Sequence, residues 1–231
     1  MGGINVKITM IEMLMEKVAP HLCFGCSKKG TTLCLNCKYN ITIEPFLGCI
    51  ICGKVTANGI CAQHDVPICK AWVVGIRQGT LKKVIDAYKF ENVKGASTSF
   101  TALFNETLPL LPYNTVIVPI PTIASHVRKR GYDHMEVLAR LLSRKRNVTV
   151  GHYLTHASKK SQHTLNRQER HREAMQTFSL SRYVNEDRST PILLLDDIIT
   201  TGSTVTSAAI VLANAGFKTV FVAALAYQAL D

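Results

Sequence analysis

Residues 193–204 read LLLDDIITTGST, from Leu193 to Thr204, and the order of residue types in this stretch decides how the rest of the chain is read. An apolar run from Pro191 through Leu195 ends at Asp196 and Asp197, the pattern of a strand buried on both faces of a parallel sheet. Acids at the carboxyl end of such a strand lie where α/β sheets bind their ligands. Thr200, Thr201, Gly202, Ser203 and Thr204 then lead into a helix over 202–215 that Gly216 closes. A helix start carries unpaired N–H groups and a partial positive charge, so this hydroxyl- and glycine-rich loop can wrap a phosphate dianion. An isolated Asp-Asp pair is ordinarily a solvated turn. Placed after an aliphatic strand and before such a loop, the two carboxylates stand where a ribose attached to that phosphate would show its vicinal diol. No lysine follows the glycine, which excludes a Walker A loop.

Upstream, residues 72–76 and 115–120 read as strands, and 80–88 as a helix with Leu81, Val84, Ile85 and Tyr88 on one face. Residues 92–110 read as helical, 133–146 repeat helical spacing at Val137, Leu138, Leu141 and Leu142, 148–154 read as one strand and 218–224 as the last. Strands alternating with helices predict an α/β fold with a doubly wound, mostly parallel sheet. Residues 159–172 hold few apolar side chains and read as a mobile loop that becomes helical near its end.

With 231 residues and 47% apolar content, the chain can bury one medium core and carry a small satellite module. No apolar run approaches the ~20 residues a membrane helix needs. Near the start, Ile8, Ile11, Leu14, Met15 and Val18 recur at helical spacing among Glu12, Glu16 and Lys17, which predicts an amphipathic helix and neither a signal peptide nor a span. A cytoplasmic protein is expected. The formal charge is +11, and residues 120–190 carry 14 Lys or Arg against 6 Asp or Glu, a local surplus of +8. Such a surplus favours polyanions such as phosphates or nucleic acid, with a plain solvated basic surface as the alternative.

Seven of the eight cysteines lie between Cys23 and Cys61 and none follows Cys69, so composition divides the chain near residue 70 into two domains, 1–70 and 71–231. Cys23 with Cys26, Cys34 with Cys37 and Cys49 with Cys52 are each spaced C-x-x-C, and Cys61 with His64 is C-x-x-H. A tetrahedral zinc ion needs two such hooks, so sequential pairing predicts two closed sites: Cys23, Cys26, Cys34, Cys37, then Cys49, Cys52, Cys61, His64. Four protein ligands leave no open position for water, which makes the zinc structural. Disulfides and a redox C-x-x-C are the alternatives; without a secretory signal the thiols are expected to stay reduced. Cys69 reads as a small buried apolar residue, with replacement of His64 by Cys69 as the other ligand choice.

At this point the sequence resembles a known class. Residues 193–204 match the signature with which type I phosphoribosyltransferases bind phosphoribosyl pyrophosphate, and the whole chain is similar to the ComF (ComFC) family of competence-related proteins, in which a double zinc ribbon precedes a phosphoribosyltransferase domain. The resemblance also rests on Pro119-Ile120-Pro121, Arg130-Gly131-Tyr132, Gln162 with Leu165 and Arg170, and Phe178.

It implies that Asp196 and Asp197 are the catalytic pair, holding the ribose and placing Mg2+ through water. Thr200, Thr201, Gly202, Ser203 and Thr204 would hold the 5-phosphate. A pyrophosphate loop would follow Pro121, with Arg128 and Arg130 as its cations. Lys159, Lys160 and Arg170 would belong to a loop that closes over the site and excludes water.

Two functions from different classes follow from the resemblance. One is transfer of a phosphoribosyl group to an unidentified acceptor. The other is single-stranded DNA handling in competence or DNA uptake, alongside competence or recombination proteins, with a regulatory phosphoribosyl site. A metabolite-responsive partner-binding protein is a plainer third. The chain departs from the family pattern at Asp133 and His134, where asparagine and glutamine are usual, at Glu173 in place of asparagine, and at the C-x-x-H hook.

Overall fold

A computed structural model describes residues 20–156, 177–184 and 187–229. The expected N-terminal helix and the loop over 159–172 lie outside these residues. Helix α1 (Leu35–Thr42) sits among the cysteine hooks. It is followed by β1 (Lys70–Ile76), α2 (Gly79–Phe90), α3 (Ala96–Thr107), β2 (Val116–Pro119), α4 (Ala124–Arg130), α5 (His134–Arg146) and β3 (Thr149–Val150). Then come β4 (Leu154–His156), β5 (Phe178–Leu180), β6 (Ile192–Ile199), α6 (Ser203–Asn214) and β7 (Val220–Tyr227).

Five strands form one sheet in the order β1-β7-β6-β2-β3, and every neighbouring pair is parallel. The fold is α/β with a parallel sheet. Ile192, Leu193, Leu194 and Leu195 of β6 have no exposed surface. Period-two alternation sends them to opposite faces: Ile192 and Leu194 pack with Val205, Ala208, Ala209 and Leu212 of α6. Leu193 and Leu195 pack with Val84 and Ile85 of α2, Phe100 and Leu103 of α3, and Leu138 and Leu142 of α5. Truncating any one of these leucines to alanine would cost about 2–5 kcal/mol.

The chain leaves β2 toward β3 and leaves β6 in the opposite direction, toward β7. Crossovers of one hand running in opposite directions place their helices on opposite faces, as α5 and α6 are placed here. The segments following β2 and β6 therefore diverge. Between them lies the crevice where open α/β sheets take ligands.

Four local readings change. The single strand expected over 148–154 is two, since β3 joins the main sheet while β4 pairs antiparallel with β5. Gly151 marks the break, because a Cβ there would meet the Tyr153 ring at 2.5 Å and Val116 Cγ1 at 2.8 Å. Tyr153 folds back to stack on Phe217, with ring centroids 5.5 Å apart. The helix expected from residue 92 starts at Ala96, because Asn92 adopts a left-handed φ of 59° just past α2. Residues 124–130, read as loop, form α4; it buries no residue, so it leaves no apolar periodicity to find. Finally, β6 does not stop at Leu195. Its ladder with β2 ends at Pro119↔Leu195, but its ladder with β7 continues to Ile199↔Tyr227.

Candidate phosphate and sugar site

The unequal ladders set the geometry. Past Leu195, β6 is held by β7 on one edge and is open toward β2 on the other, so Asp196 and Asp197 border the crevice while still in extended backbone. Alternation then separates them. Asp196 lines a cleft with Thr200, Gly202, Ser203 and Thr204 on the α6 side. Asp197 turns to the opposite side, where its Oδ2 accepts from His134 Nε2 at 2.7 Å and from Lys89 Nζ at 2.8 Å.

Both carboxylates are only 8% exposed, and their environments drive their pKa values apart. Burial, and next the negative charge of Asp197, push the Asp196 carboxyl up to about 7, against a backbone N–H bond from Asp197 at 2.8 Å. Burial works to raise Asp197 as well, but the hydrogen bond from His134 and the Lys89 charge outweigh it. They hold Asp197 well below the usual carboxylate range. Burial thus makes Asp196 costly to charge, whereas its partners keep Asp197 ionised.

Thr201 and Ser203 tie the loop together: Thr201 Oγ1 donates to Ser203 Oγ at 2.9 Å and accepts from Ser203 N at 3.3 Å. Gly202 caps α6 with φ 69° and ψ −1°, the left-handed region that disfavours a side chain. Its close neighbour is the cysteine module, since a Cβ at Gly202 would stand 2.9 Å from the Ile50 carbonyl oxygen and 3.0 Å from Ile51 Cγ1. The loop that opens α6 is therefore braced by backbone lying between Cys49 and Cys52.

On the far bank, Pro121 leads into α4, and its carbonyl accepts from His156 Nε2 at 3.0 Å. Arg128 is exposed with no ion pair among the described residues. Arg130 turns inward, donating from NH1 to His134 Nδ1 at 2.9 Å, with its guanidinium 6.0 Å from the Phe90 ring centroid. Asp133 caps α5, accepting from Met135 N at 3.0 Å, Glu136 N at 3.3 Å and Thr122 Oγ1 at 2.9 Å. Its acidity serves the helix start. Lys89 and His134 were not singled out as site residues from sequence. Lys89 carried no motif, and His134 stood out only as a departure from the ComF pattern. Lys159, Lys160, Arg170, Gln162, Leu165 and Glu173 lie outside the described residues.

The cysteines gather as spacing predicted, into Cys23, Cys26, Cys34, Cys37 and Cys49, Cys52, Cys61, His64, with the ligand atoms of each set within 4.8 Å of one another. Cys26 Sγ lies 3.6 Å from Cys34 Sγ, and Cys52 Sγ 3.7 Å from Cys61 Sγ. Two sulfurs on a tetrahedral zinc with bonds near 2.3 Å stand roughly 3.8 Å apart, so both sets fit that ion. Each cluster can coordinate a metal. All eight cysteines are free of disulfides. His64 Nε2 is buried without a hydrogen-bond partner, an orphan that a metal bond at that nitrogen would satisfy. Cys69, expected to be buried, is exposed and takes no part in either cluster. It immediately precedes β1, and its backbone N–H, not its side chain, does the holding, donating to Val220 O at 2.8 Å.

Between the second cluster and α6 runs a groove of ≈ 560 Å³, walled by His64, Asp65 and Val66 on one side and by Thr201, Ser203, Thr206 and Ile210 on the other. Elsewhere on the surface the basic run 144–146 divides. Arg144 and Lys145 are exposed, whereas Arg146 donates to the Asn105, Leu108 and Pro109 carbonyls at the end of α3. Arg146 is a helix anchor, and the free cationic surface is smaller than composition suggested. Among the described residues, no helix is long and apolar enough to cross a membrane.

Fold and site together define a parallel α/β protein with a hydroxyl- and glycine-rich loop and two carboxylates at its switch point, joined to two clusters able to coordinate a metal. Competence protein F of Haemophilus influenzae is 26% identical over 210 residues, covering 84% of this chain and 90% of that protein. A hypoxanthine phosphoribosyltransferase from Staphylococcus aureus superposes with a TM-score of 0.35 and 11% identity, covering 61% of this chain and 73% of that one. No protein-family model matches the chain.

Proposed function

We propose that this chain is a ComF-like protein with a type I phosphoribosyltransferase-like domain over 71–231 that binds phosphoribosyl pyrophosphate in the crevice between β2 and β6. The observation that carries this reading is that Asp196 lines one cleft with Thr200, Gly202, Ser203 and Thr204 at the open end of β6. Backbone N–H groups and hydroxyls of the loop hold the 5-phosphate. Asp196 accepts from the ribose hydroxyls, and Asp197 supplies fixed negative charge beneath it. Arg128 and Arg130 are assigned to the pyrophosphate, Arg130 through guanidinium donors other than the one His134 holds, and Lys159, Lys160 and Arg170 to the closing loop. The oxygen donors of Asp196 suit Mg2+ held through water, and that ion would neutralise charge on the departing pyrophosphate.

In the transfer reaction a nitrogen nucleophile forms a bond to C1 of the ribose while the C1–O bond to pyrophosphate breaks. The electron pair leaves with pyrophosphate, and the nitrogen gives up its proton to solvent or to the departing pyrophosphate. Asp196 and Asp197 stabilise the developing ribosyl cation electrostatically. The domain over 1–70 carries two structural zinc ions. Its second cluster, across the groove from α6, would serve as the hood over the acceptor.

The test is calorimetry with phosphoribosyl pyrophosphate and Mg2+ on the zinc-loaded chain, followed by pyrophosphate release across a panel of nitrogen bases. We expect saturable binding that Asp196→Ala with Asp197→Ala abolishes. A wild type that shows no binding heat and no ligand-induced thermal shift sinks the reading.

A second reading, in which the protein handles single-stranded DNA in competence or DNA uptake, draws on the exposed Arg128, Lys129, Arg144 and Lys145, which form no ion pair among the described residues. Competence or recombination proteins would then be partners and the phosphoribosyl site regulatory. DNA affinity should fall with salt at a log-log slope of roughly 0.7 per neutralised phosphate. Arg144→Ala with Lys145→Ala should weaken it, while Arg146→Ala should lower thermal stability instead.

A further inference from the structure

His134 is the first residue of α5, only 4% exposed, and both of its ring nitrogens are engaged. Nδ1 lies 2.9 Å from Arg130 NH1, and Nε2 lies 2.7 Å from Asp197 Oδ2. A guanidinium has donors only, so Nδ1 must present its lone pair to Arg130. The proton of the neutral ring then sits on Nε2 and points at Asp197. Lys89 Nζ reaches the same oxygen at 2.8 Å and also only donates. The hydrogen bonds run in one direction from Arg130 through His134 to Asp197, with Lys89 closing the far end.

We propose that His134 is a positioning residue: a neutral imidazole, fixed in its Nε2–H tautomer by Arg130, that holds the Asp197 charge in place beneath the sugar without acting as an acid or base. This rests on the phosphoribosyl reading above. Three features of the surroundings keep the ring in place. Asp133 caps the helix on which His134 sits, Tyr88 Oη donates to the His134 carbonyl at 2.8 Å, and the Tyr88 ring meets the imidazole edge-on at 5.9 Å between centroids. These contacts hold the ring in the network. A glutamine side chain offers the same pair of functions, one carbonyl acceptor for Arg130 and one N–H donor for Asp197. A neutral Nε2–H histidine and a glutamine are therefore equivalent in this network, whereas a proton-transferring histidine and a glutamine are not.

The experiment compares His134→Gln and His134→Ala with wild type, measuring phosphoribosyl pyrophosphate affinity with Mg2+ by calorimetry. Nitrogen NMR of histidine-labelled wild type reads the tautomer at neutral pH. Glutamine should keep the affinity within about threefold of wild type, while alanine, which strips a hydrogen bond from a charged carboxylate, should weaken it by about tenfold or more. The NMR should show Nε2 protonated and Nδ1 bare. Glutamine as damaging as alanine overturns the proposal, and so does a ring protonated at Nδ1. If His134→Ala does not fold, the glutamine variant and the tautomer decide. A wild type that does not bind the ligand, yet shows the Nε2–H tautomer, fails the phosphoribosyl reading and removes the sugar-binding role, leaving the network's geometry intact.

Discussion

Replacing Gly202 by alanine separates two costs that usually arrive together. The residue has φ 69° and ψ −1°, so an added methyl meets left-handed backbone strain, worth about 1–2 kcal/mol for a residue with a Cβ. It also places that methyl 2.9 Å from the Ile50 carbonyl oxygen, closer than such contacts are found, and overpacking of this kind costs about 1–3 kcal/mol. Gly131 supplies a matched control, with φ 78° and ψ −1° and no atom within 4 Å of its virtual Cβ. Gly131→Ala should carry the backbone cost alone. The difference between the variants then reports the brace between the cysteine module and the phosphate loop. Taking about 2 kcal/mol for that difference, and about 2–4 °C per kcal/mol for a chain of this size, Gly202→Ala should melt about 4–8 °C below Gly131→Ala. Thermal unfolding by circular dichroism on zinc-loaded protein measures it. Equal melting temperatures would refute the brace, since strain alone would then account for both.

Two further outcomes are expected. Metal analysis should find two zinc ions per chain, and Cys49→Ala should lose one of them; because the Ile50 carbonyl backs Gly202, the same variant should also weaken phosphoribosyl pyrophosphate binding, as a titration beside wild type would show. Asp196→Asn should stabilise the protein while abolishing ligand binding. The folded pKa near 7 exceeds the unfolded value of about 3.9, so the folded state holds a proton that the unfolded state has lost between these values. The stability associated with Asp196 therefore falls as pH rises through that window. The gain in melting temperature for Asp196→Asn should accordingly be larger at pH 8 than at pH 6, and a constant gain would count against a buried, raised Asp196.

Short-range chemistry made much of this molecule legible in one dimension. The apolar run before Asp196, the hydroxyl-glycine loop and the two-residue hooks of the cysteines each encode their geometry within a few residues, so strand, helix start and metal clusters could be placed without tertiary information. The helix over 133–146 was legible because its buried face repeats every turn. Where the signal was weak, the reading failed: α4 buries nothing, Gly151 breaks a strand through contact with Tyr153 and Val116, and Cys69 is exposed although it is a cysteine next to a strand.

What only the tertiary structure decided are relations between segments far apart in the chain. Asp196 and Asp197 look equivalent in sequence, but β6 keeps its β7 neighbour after losing β2, so alternation persists and sends the two carboxylates to opposite sides. Lys89 and His134 become partners of Asp197 because α2 and α5 pack on that face. Gly202 meets Ile50 because the Cys49–Cys52 hook folds onto the start of α6. The sequence set the local conformations, since these depend on dihedral preference and periodic burial. The charge state of Asp197 depends on the distant donors, Lys89 and His134, that the fold brings within about 3 Å, and that of Asp196 on its burial beside Asp197; local patterning carries no record of either.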